Sequence, residues 1–224
     1  MTVLTARHLS KTFKTPTLVT VLKDISLDIK QGQTVAITGK SGEGKTTLLH
    51  ILGTLELPTA GTLEISGIPA VPSSWSLLRN QKIGFVFQTY NLLEDYTVLD
   101  NILMPAKIAG QDTRPGSLAH TQALKMLSEV GLSHRAEFQA KFLSGGEKQR
   151  AAIARAFQNN PDLILADEPS GNLDHTHSTL IYKLLLSAAK DHGKALIVVT
   201  HDPELASLCE QHYTLMDGEL SCVY

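Results

Sequence analysis

The chain has 224 residues, of which 42% are hydrophobic, and its 20 basic and 22 acidic residues leave a formal net charge of −2. This length and apolar content suffice to bury the core of one α/β domain. The sequence has no basic stripe that favours nucleic acid as a partner, no apolar run long enough to span a bilayer, and no apolar core of a secretory signal at its start. Cys209 and Cys222 lack metal-ligand spacing, which predicts two reduced thiols.

The first third of the chain combines two kinds of strand pattern. Apolar and polar residues alternate in three segments that we expect to form a small antiparallel sheet, namely Val3–Leu9, Leu22–Ile29 and Gly61–Gly67. Thr34–Thr38 instead reads as a buried strand that runs into a glycine-rich loop, and Thr46–Gly53 reads as the helix after it. Ile83–Phe87 is a further predicted strand, which ends at Gln88.

Helical patterns dominate the middle of the chain, from about Thr97 to Asn160. The clearest are Leu118–Val130 and Gly145–Asn160, which are followed by a glycine and a proline. Alternating strands and helices are typical of a mostly parallel sheet covered by helices.

Strand patterns return in the last third, at Asp162–Ala166 and Ala195–Thr200, and a helix is expected to start near Asp202. A hairpin is expected to turn at Asp217–Gly218. We therefore predict a single α/β domain over residues 1–224, with a core of about 1–88 and 161–224 and a helical subdomain of about 89–160.

The glycine-rich loop reads Gly-Lys-Ser-Gly-Glu-Gly-Lys-Thr and matches the phosphate-loop pattern G-x-x-x-x-G-K-[ST]. Its backbone N–H groups can curl around phosphates, and the helix N-terminus adds its dipole. We expect Lys45 to reach the β- and γ-phosphates of ATP and the Thr46 hydroxyl to bind Mg²⁺. A chance glycine-rich turn is the alternative, which the strand–loop–helix context disfavours. The predicted nucleotide-binding residues of this segment are Gly39, Lys40, Ser41, Gly42, Glu43, Gly44, Lys45, Thr46 and Thr47.

Two carboxylates come directly after the apolar run Leu163–Ala166, at the strand end where ligands bind in open α/β sheets. We expect Asp167 to hold Mg²⁺ through water. Glu168 is expected to point to the opposite face and to orient and polarise the attacking water. By itself such an acidic pair is more often a solvated turn. His201 comes after another predicted strand, in a position from which it can hydrogen-bond the γ-phosphate, and the other histidines are interpreted as structural.

The segment Leu143–Arg150 reads Leu-Ser-Gly-Gly-Glu-Lys-Gln-Arg and resembles the signature motif of the ATP-binding cassette (ABC) transporter family. In that family two copies of the domain close around shared ATP. Ser144 and the amides of Gly145 and Gly146 lie at the start of a predicted helix, which is an anion-binding terminus. The resemblance implies that these three residues bind the ATP held by a second copy. An ordinary helix cap is the alternative.

The likeness to the ABC nucleotide-binding domain extends along essentially the whole chain. It implies that Phe13 stacks on adenine, where the family more often has tyrosine, and that Gln88 touches Mg²⁺ and senses the membrane partner. Ser170–Asp174 resembles the D-loop, which communicates across the dimer. Glu43 departs from the family's usual serine and puts a carboxylate near phosphates. The implied catalytic residues are Lys45, Glu168 and His201, and the implied metal ligands are Thr46, Gln88 and Asp167.

Several segments are similar to the ATPases of the lipoprotein-releasing and macrolide-export group, with the greatest likeness to those that power lipoprotein release. This resemblance implies a homodimer of ATPase chains in the ATP-bound state and two integral membrane transporter subunits. It also implies a peripheral position on the cytoplasmic face of the inner membrane and no fused membrane domain. The segments that carry it are Leu78–Gln88, Asn91–Leu93, Thr97–Pro105 and Val130–Arg135.

Three alternatives stay open at this point. The first is the ATPase of an exporter of macrolides or antimicrobial peptides, the second is a division-associated ABC complex, and the third is a non-transport ABC ATPase that acts on DNA or ribosomes. The last class carries long coiled-coil insertions or two cassettes in one chain, whereas this sequence has one set of motifs. The apolar loop Tyr90–Met104 is expected either to face the membrane subunits or to form the core of the helical subdomain.

Overall fold

A small antiparallel sheet forms the N-terminal part of the protein, as the alternating segments predict. The structure is a computed structural model that describes residues 1–14, 17–170 and 175–224, with the side chains of 175–177 left out. The sheet has the order β2-β1-β4-β5. Its strands are β1 (Thr2–Phe13), β2 (Val19–Lys30), β4 (Ala60–Ile65) and β5 (Ile68–Pro69).

A six-stranded sheet with the order β10-β9-β3-β8-β7-β6 forms the centre. Five of its strands run parallel, and β10 returns antiparallel to β9. The hairpin turns at Asp217 and Gly218, whose φ angles of 52° and 82° suit an Asp-Gly turn. The strands are β3 (Thr34–Thr38), β6 (Ile83–Val86), β7 (Leu163–Asp167), β8 (Ala195–Val199), β9 (Gln211–Met216) and β10 (Glu219–Cys222).

Seven helices connect and cover these strands in the described part of the chain. The sequence predicts a helix over Gly145–Asn160. The observed helix ends earlier, at Phe157, because the chain leaves the helical conformation before Pro161. The helices are α1 (Lys45–Leu52), α2 (Trp75–Leu77, continued by a π-helical turn Leu78–Lys82), α3 (Val98–Ile108), α4 (Leu118–Glu129), α5 (Gly145–Phe157), α6 (His175–Asp191) and α7 (Pro203–Ser207).

The two faces of the central sheet pack against different partners. In β7, Leu163 and Leu165 join the cluster formed with α1 and the antiparallel sheet. Ile164 and Ala166 join the cluster formed with α3, α4, α5 and α6. Successive side chains of a strand point to opposite faces, so both faces of β7 are buried. This explains the continuous apolar runs that precede the predicted site residues.

The helical region 89–160 shares its core with the sheet. Residues of α3, α4 and α5 form one buried cluster with side chains of β6, β7 and β8. The backbone of α5 lies so close to β6 that a Cβ atom on Gly84 would be 2.2 Å from the carbonyl oxygen of Ala156. The C-terminal end of α5 is therefore packed directly against the backbone of β6.

Within the described residues, the structure contains no helix that combines the length and the apolar character needed to cross a membrane. Cys209 and Cys222 are both unpaired, as predicted, and burial raises the pKa of the Cys209 thiol to about 12.

Candidate nucleotide-binding and hydrolysis site

The phosphate loop, His201 and the Asp167–Glu168 pair lie at the ends of three neighbouring strands, β3, β8 and β7. Two backbone hydrogen bonds extend the pairing just beyond the strand ends. The N–H of Thr200 donates to the carbonyl of Ile37 (3.1 Å), and the N–H of Glu168 donates to that of Val199 (2.9 Å). The segments after the three strands are thereby held at one edge of the sheet.

The phosphate loop comes directly after β3 and depends on its glycines. Gly39 has a φ of 151°, and a Cβ atom there would lie 2.3 Å from the carbonyl oxygen of Leu215. Gly44, with a φ of 98°, is the N-cap of α1. A side chain at either position would collide with the backbone or strain it, so the loop can form only with glycine at both.

Lys45 lies across this loop and is almost completely buried, with 9% of its surface exposed. Its Nζ atom donates to the carbonyl oxygens of Gly39 and Lys40, both at 2.9 Å. These contacts hold the ammonium group beside the backbone N–H groups of the loop. The arrangement concentrates positive potential at the start of α1, where phosphate groups are favoured.

Asp167, at the end of β7, meets α1 through Thr46. The Thr46 hydroxyl donates to Oδ1 of Asp167 (3.3 Å). Burial raises the pKa of the Asp167 carboxyl, against the effect of the Thr46 hydrogen bond. A hydroxyl and a partly desolvated carboxylate are oxygen donors of the kind that Mg²⁺ prefers. Among the described side chains, those of this site included, no group of three His, Cys, Asp or Glu residues could hold a metal ion.

Glu168 and His201 are in direct contact. The Nδ1 atom of His201 lies 2.8 Å from Oε2 of Glu168, and the backbone N–H of His201 points to the same oxygen at 3.4 Å. Glu168 has a φ of 43°, a conformation that is uncommon outside glycine and is often found at functional sites. The side chain of Glu168 is 15% exposed and that of His201 is 72% exposed. The pair therefore presents a partly buried carboxylate and an accessible imidazole.

A cavity of about 500 Å³ connects these groups. The structure brings together the loop, Gln88 from the end of β6, and the Glu168–His201 pair. Val21, on β2, also lines the cavity and was not predicted, because an apolar residue in an alternating strand carries no functional signal. The lining residues are Val21, Ser41, Gly42, Gly44, Lys45, Thr46, Thr47, Gln88, Glu168 and His201.

Phe13 does not line this cavity. It lies at the end of β1, next to the strand that carries Val21, and is 38% exposed. The ammonium group of Lys11 sits 4.8 Å from the centre of its ring. Its stacking on adenine stays a prediction.

Glu43 forms a contact that the sequence did not reveal. Its Oε2 accepts a hydrogen bond from the backbone N–H of Asp217 (2.7 Å) in the β9–β10 turn, and Glu43 is not among the residues that line the cavity. The side chain therefore ties the phosphate loop to the C-terminal hairpin. The role of Glu43 in phosphate binding stays a prediction.

The signature segment lies at a separate surface. Ser144 is the N-cap of α5 and forms a capping box with Glu147: the Ser144 hydroxyl accepts from the Glu147 N–H, and Oε2 of Glu147 accepts from the Ser144 N–H (2.8 Å). The latter hydrogen bond lowers the pKa of the Glu147 carboxyl. Ser144 is exposed, and neither it nor Gly145 or Gly146 lines the cavity. The serine is thus both a helix cap and an exposed group at a helix N-terminus.

One contact that the sequence did not reveal links this helix to the loop after Gln88. Tyr90 and Asn91 have φ angles of 60° and 50°, and the guanidinium of Arg155 in α5 donates to both of their carbonyls. Burial lowers the pKa of Arg155 to about 10. Nothing in the local pattern singles out Arg155, since an arginine on a helix is usually solvated.

The predicted D-loop lies mostly outside the described residues. Ser170 is described, whereas residues 171–174 are not. The side chains of His175 and His177 are likewise outside the description.

Known proteins share the motifs and the architecture of this chain. The model of the ABC transporter family matches residues 22–171, which span the phosphate loop, the signature segment and the acidic strand end. The chain therefore belongs to the ABC transporter family, and within it to the ATPases that bind and hydrolyse ATP.

Particular relatives share nearly the full length. The chain is 50% identical over 222 residues to the lipoprotein-releasing system ATP-binding protein LolD of Protochlamydia amoebophila, covering 99% of this chain and 96% of the relative. It is 45% identical over 203 residues to the protein of the same name from Shewanella oneidensis, covering 89% and 87%.

Solved structures confirm the predicted fold class. The ATP-binding cassette MJ0796, in a dimeric post-hydrolysis state bound to ADP and Pi, superposes with a TM-score of 0.87 at 36% identity, covering 99% of both chains. The structure of cbiO1 from Clostridium perfringens, which is part of an ABC transporter complex, superposes with a TM-score of 0.83 at 26% identity. The superposition covers 98% of this chain and 87% of that one.

The orientation of Glu43 can be tested by removing its charge. A carboxylate about 4 Å from a phosphate would weaken binding by roughly 1 to 4 kcal/mol. Because the carboxylate is bonded to the hairpin, we expect Glu43→Gln to leave the dissociation constant of ATP within about twofold of wild type. Titration with a fluorescent ATP analogue measures this, with Lys45→Ala as a control that loses affinity. Tightening by tenfold or more in Glu43→Gln would show that the carboxylate faces the phosphates.

Proposed function

We propose that this chain is the ATPase subunit of a transporter that releases lipoproteins from the inner membrane toward the outer membrane. The full-length similarity to proteins named for lipoprotein release supports the cargo. The contact between Glu168 and His201, at the edge of a cavity that also holds Lys45 and Thr46, carries the chemistry. A chain with this role would lie on the cytoplasmic face of the membrane, bound to two membrane subunits.

Phosphoryl transfer to water requires positioning and charge stabilisation more than covalent chemistry. Lys45 and the loop N–H groups would stabilise charge on the transferred phosphoryl group. Thr46 and Asp167, with Gln88 at the cavity wall, would hold Mg²⁺, which neutralises charge on the phosphate oxygens when it is bound. These residues suit a cation because the Asp167 carboxylate is desolvated and its described partner is a neutral hydroxyl.

Glu168 would orient the attacking water and accept its proton. Its carboxylate is partly buried and is held by the imidazole and backbone N–H of His201. The exposed part of His201 would reach the γ-phosphate, as its place on the cavity wall allows. The two residues then hold the water and the phosphate in register.

A complete site would need a second copy of the chain. Ser144 and the N-terminus of α5 are exposed and lie away from the chain's own cavity, so they are available to the ATP of a partner. The dimeric state of the similar cassette MJ0796 supports this arrangement. Two ATP molecules would join two chains, and hydrolysis would release them.

The membrane subunits would dock beside the loop after Gln88. Of the predicted surface Tyr90–Met104, the helical part is buried: Val98, Ile102 and Leu103 belong to the core. Leu93 and Tyr96 are 43% and 50% exposed. A cavity of about 240 Å³ opens between β6 and α5, and Asn91 of the same loop lines it together with Phe85, Phe87 and Pro105. An apolar helix of a membrane subunit seated there would lie next to Gln88.

Glu168→Gln tests the hydrolysis mechanism. The amide keeps the shape of the side chain but cannot accept a proton, so we expect the hydrolysis rate to fall by at least about 100-fold. ATP binding should persist, and the variant should accumulate as an ATP-bound dimer. Phosphate release and light scattering with MgATP measure the two effects, with wild type as the control. A variant that stays monomeric with MgATP would refute the proposed dimer.

The composite site can be tested by mixing two inactive variants. Ser144→Arg and Lys45→Ala should each abolish turnover, but a mixed dimer contains one site with an intact Lys45 and an intact Ser144. We therefore expect turnover to return on mixing, while Ser144→Arg alone binds ATP nearly as wild type does. Ser144→Asp separates the cap from the ligand role, because aspartate caps a helix as well as serine does but repels phosphate. If mixing restores nothing, Ser144 does not act in trans.

The cargo is tested by reconstitution. The chain is purified with its membrane subunits from the native membrane and placed in liposomes that contain an acylated lipoprotein. We expect MgATP to move the lipoprotein to a soluble carrier protein, and the Glu168→Gln complex to retain it in the membrane. ATP-dependent efflux of a macrolide or a peptide from the same liposomes, without lipoprotein release, would replace this proposal by an exporter.

A further inference from the structure

We propose that Tyr182 is a positioning residue for ATP hydrolysis, which ties the segment after Glu168 to the segment after His201. It lies on α6, a helix to which neither the phosphate loop nor the acidic pair belongs, and its side chain is 1% exposed. This inference rests on the catalytic roles proposed above for Glu168 and His201.

The hydroxyl of Tyr182 contacts three polar side chains. It donates to Oδ2 of Asp202 at 2.6 Å and is hydrogen-bonded to the hydroxyls of Ser170 and, on its own helix, Ser178. A phenol has one proton, so Ser170 must be the donor in the second contact. Burial and the Asp202 carboxylate raise the pKa of Tyr182 to about 12, so the phenol keeps its proton at neutral pH. The donors and acceptors are therefore defined: Ser170 donates to Tyr182, and Tyr182 donates to Asp202.

The two ends of this chain lie next to the proposed catalytic pair. Ser170 is two residues after Glu168, and Asp202 is the residue after His201. Asp202 is itself fixed, because its N–H donates to the Thr200 hydroxyl (3.0 Å) and its Oδ1 accepts from the N–H of Glu204 (2.8 Å) at the start of α7.

Tyr182 thus closes a loop of contacts around the pair. On one side, β7 and β8 are joined by backbone pairing and by the Glu168–His201 hydrogen bond. On the other side, Tyr182 joins Ser170 to Asp202. Since Glu168 adopts a φ of 43°, which is unfavourable for a residue with a side chain, its orientation depends on neighbours that hold both flanks. Without the phenol oxygen, the flank after Glu168 would lose its tie to the flank after His201.

A structural role alone does not account for the polar group. The ring of Tyr182 packs in a hydrophobic cluster with Ile181 and Leu185 of the same helix, and a phenylalanine there would bury its ring equally well. The hydroxyl adds a desolvation penalty that is offset only by hydrogen bonds such as those with Ser170 and Asp202. Those contacts serve the flanks of the catalytic pair.

Tyr182→Phe tests this role because it removes the hydroxyl and keeps the ring. We expect kcat of the full chain for MgATP to fall about 10-fold, as is common when a group that orients a functional residue is lost. KM and the dissociation constant of ATP should stay within about twofold, because the phosphate loop is untouched. Tyr213→Phe is the matched control: its hydroxyl bonds Gln211 on β9, away from the cavity, and its kcat should equal that of wild type.

Ser170→Ala provides a second variant that does not alter α6. It should lower kcat to a similar extent, and the double variant should be no slower than either single one, because both remove the same link. An unchanged kcat in Tyr182→Phe or Ser170→Ala would overturn the proposal. So would a parallel change of kcat, KM and melting temperature, which indicates a general loss of packing. If Glu168→Gln in the same assay retains full turnover, the failure lies in the proposed catalytic pair and not in Tyr182.

Discussion

The parallel pairing of β3, β8 and β7 is the constraint on which the rest of the structure depends. Because these strands run in the same direction, their carboxyl ends lie at one edge, and the segment after each strand begins there. These segments carry the phosphate loop, His201 and the Asp167–Glu168 pair. Both faces of the strands are buried, so a shift of register by one residue would move every side chain to the opposite face, where the packing partners are different. The core thus fixes the relative positions of the reacting groups.

The site shows how buried polar groups are satisfied while remaining usable. The ammonium group of Lys45 donates hydrogen bonds to two carbonyls of its own loop, and the Glu168 carboxylate is hydrogen-bonded to His201. The Glu43 carboxylate, which carries charge unsuited to a phosphate site, is bonded to the hairpin turn. Hydrogen bonds inside the protein therefore hold each group in place, and the loop is supported from the C-terminal end of the chain.

Much of this arrangement derives from local sequence. The strand ends, the glycines of the loop, the Asp-Gly turn and the cap at Ser144 each act over a few residues, so the sequence predicts their conformation. Half of the predicted nucleotide-binding residues, seven of fourteen, line a single cavity. The predicted surface Tyr90–Met104 was only partly informative, because the same apolar residues can form a core or face a partner. The structure buries its helical part and exposes Leu93 and Tyr96.

The sequence by itself determined the family, the phosphate loop and the identity of the acidic and histidine side chains at the strand ends. These depend on short motifs whose chemistry is local. Only the tertiary structure decided where Glu43 points, that Arg155 holds the loop after Gln88, and that Tyr182 joins Ser170 to Asp202. Each of these contacts joins segments that are distant along the chain or lie on different elements. Their partners are chosen by the packing of helices on the sheet, which no local pattern encodes.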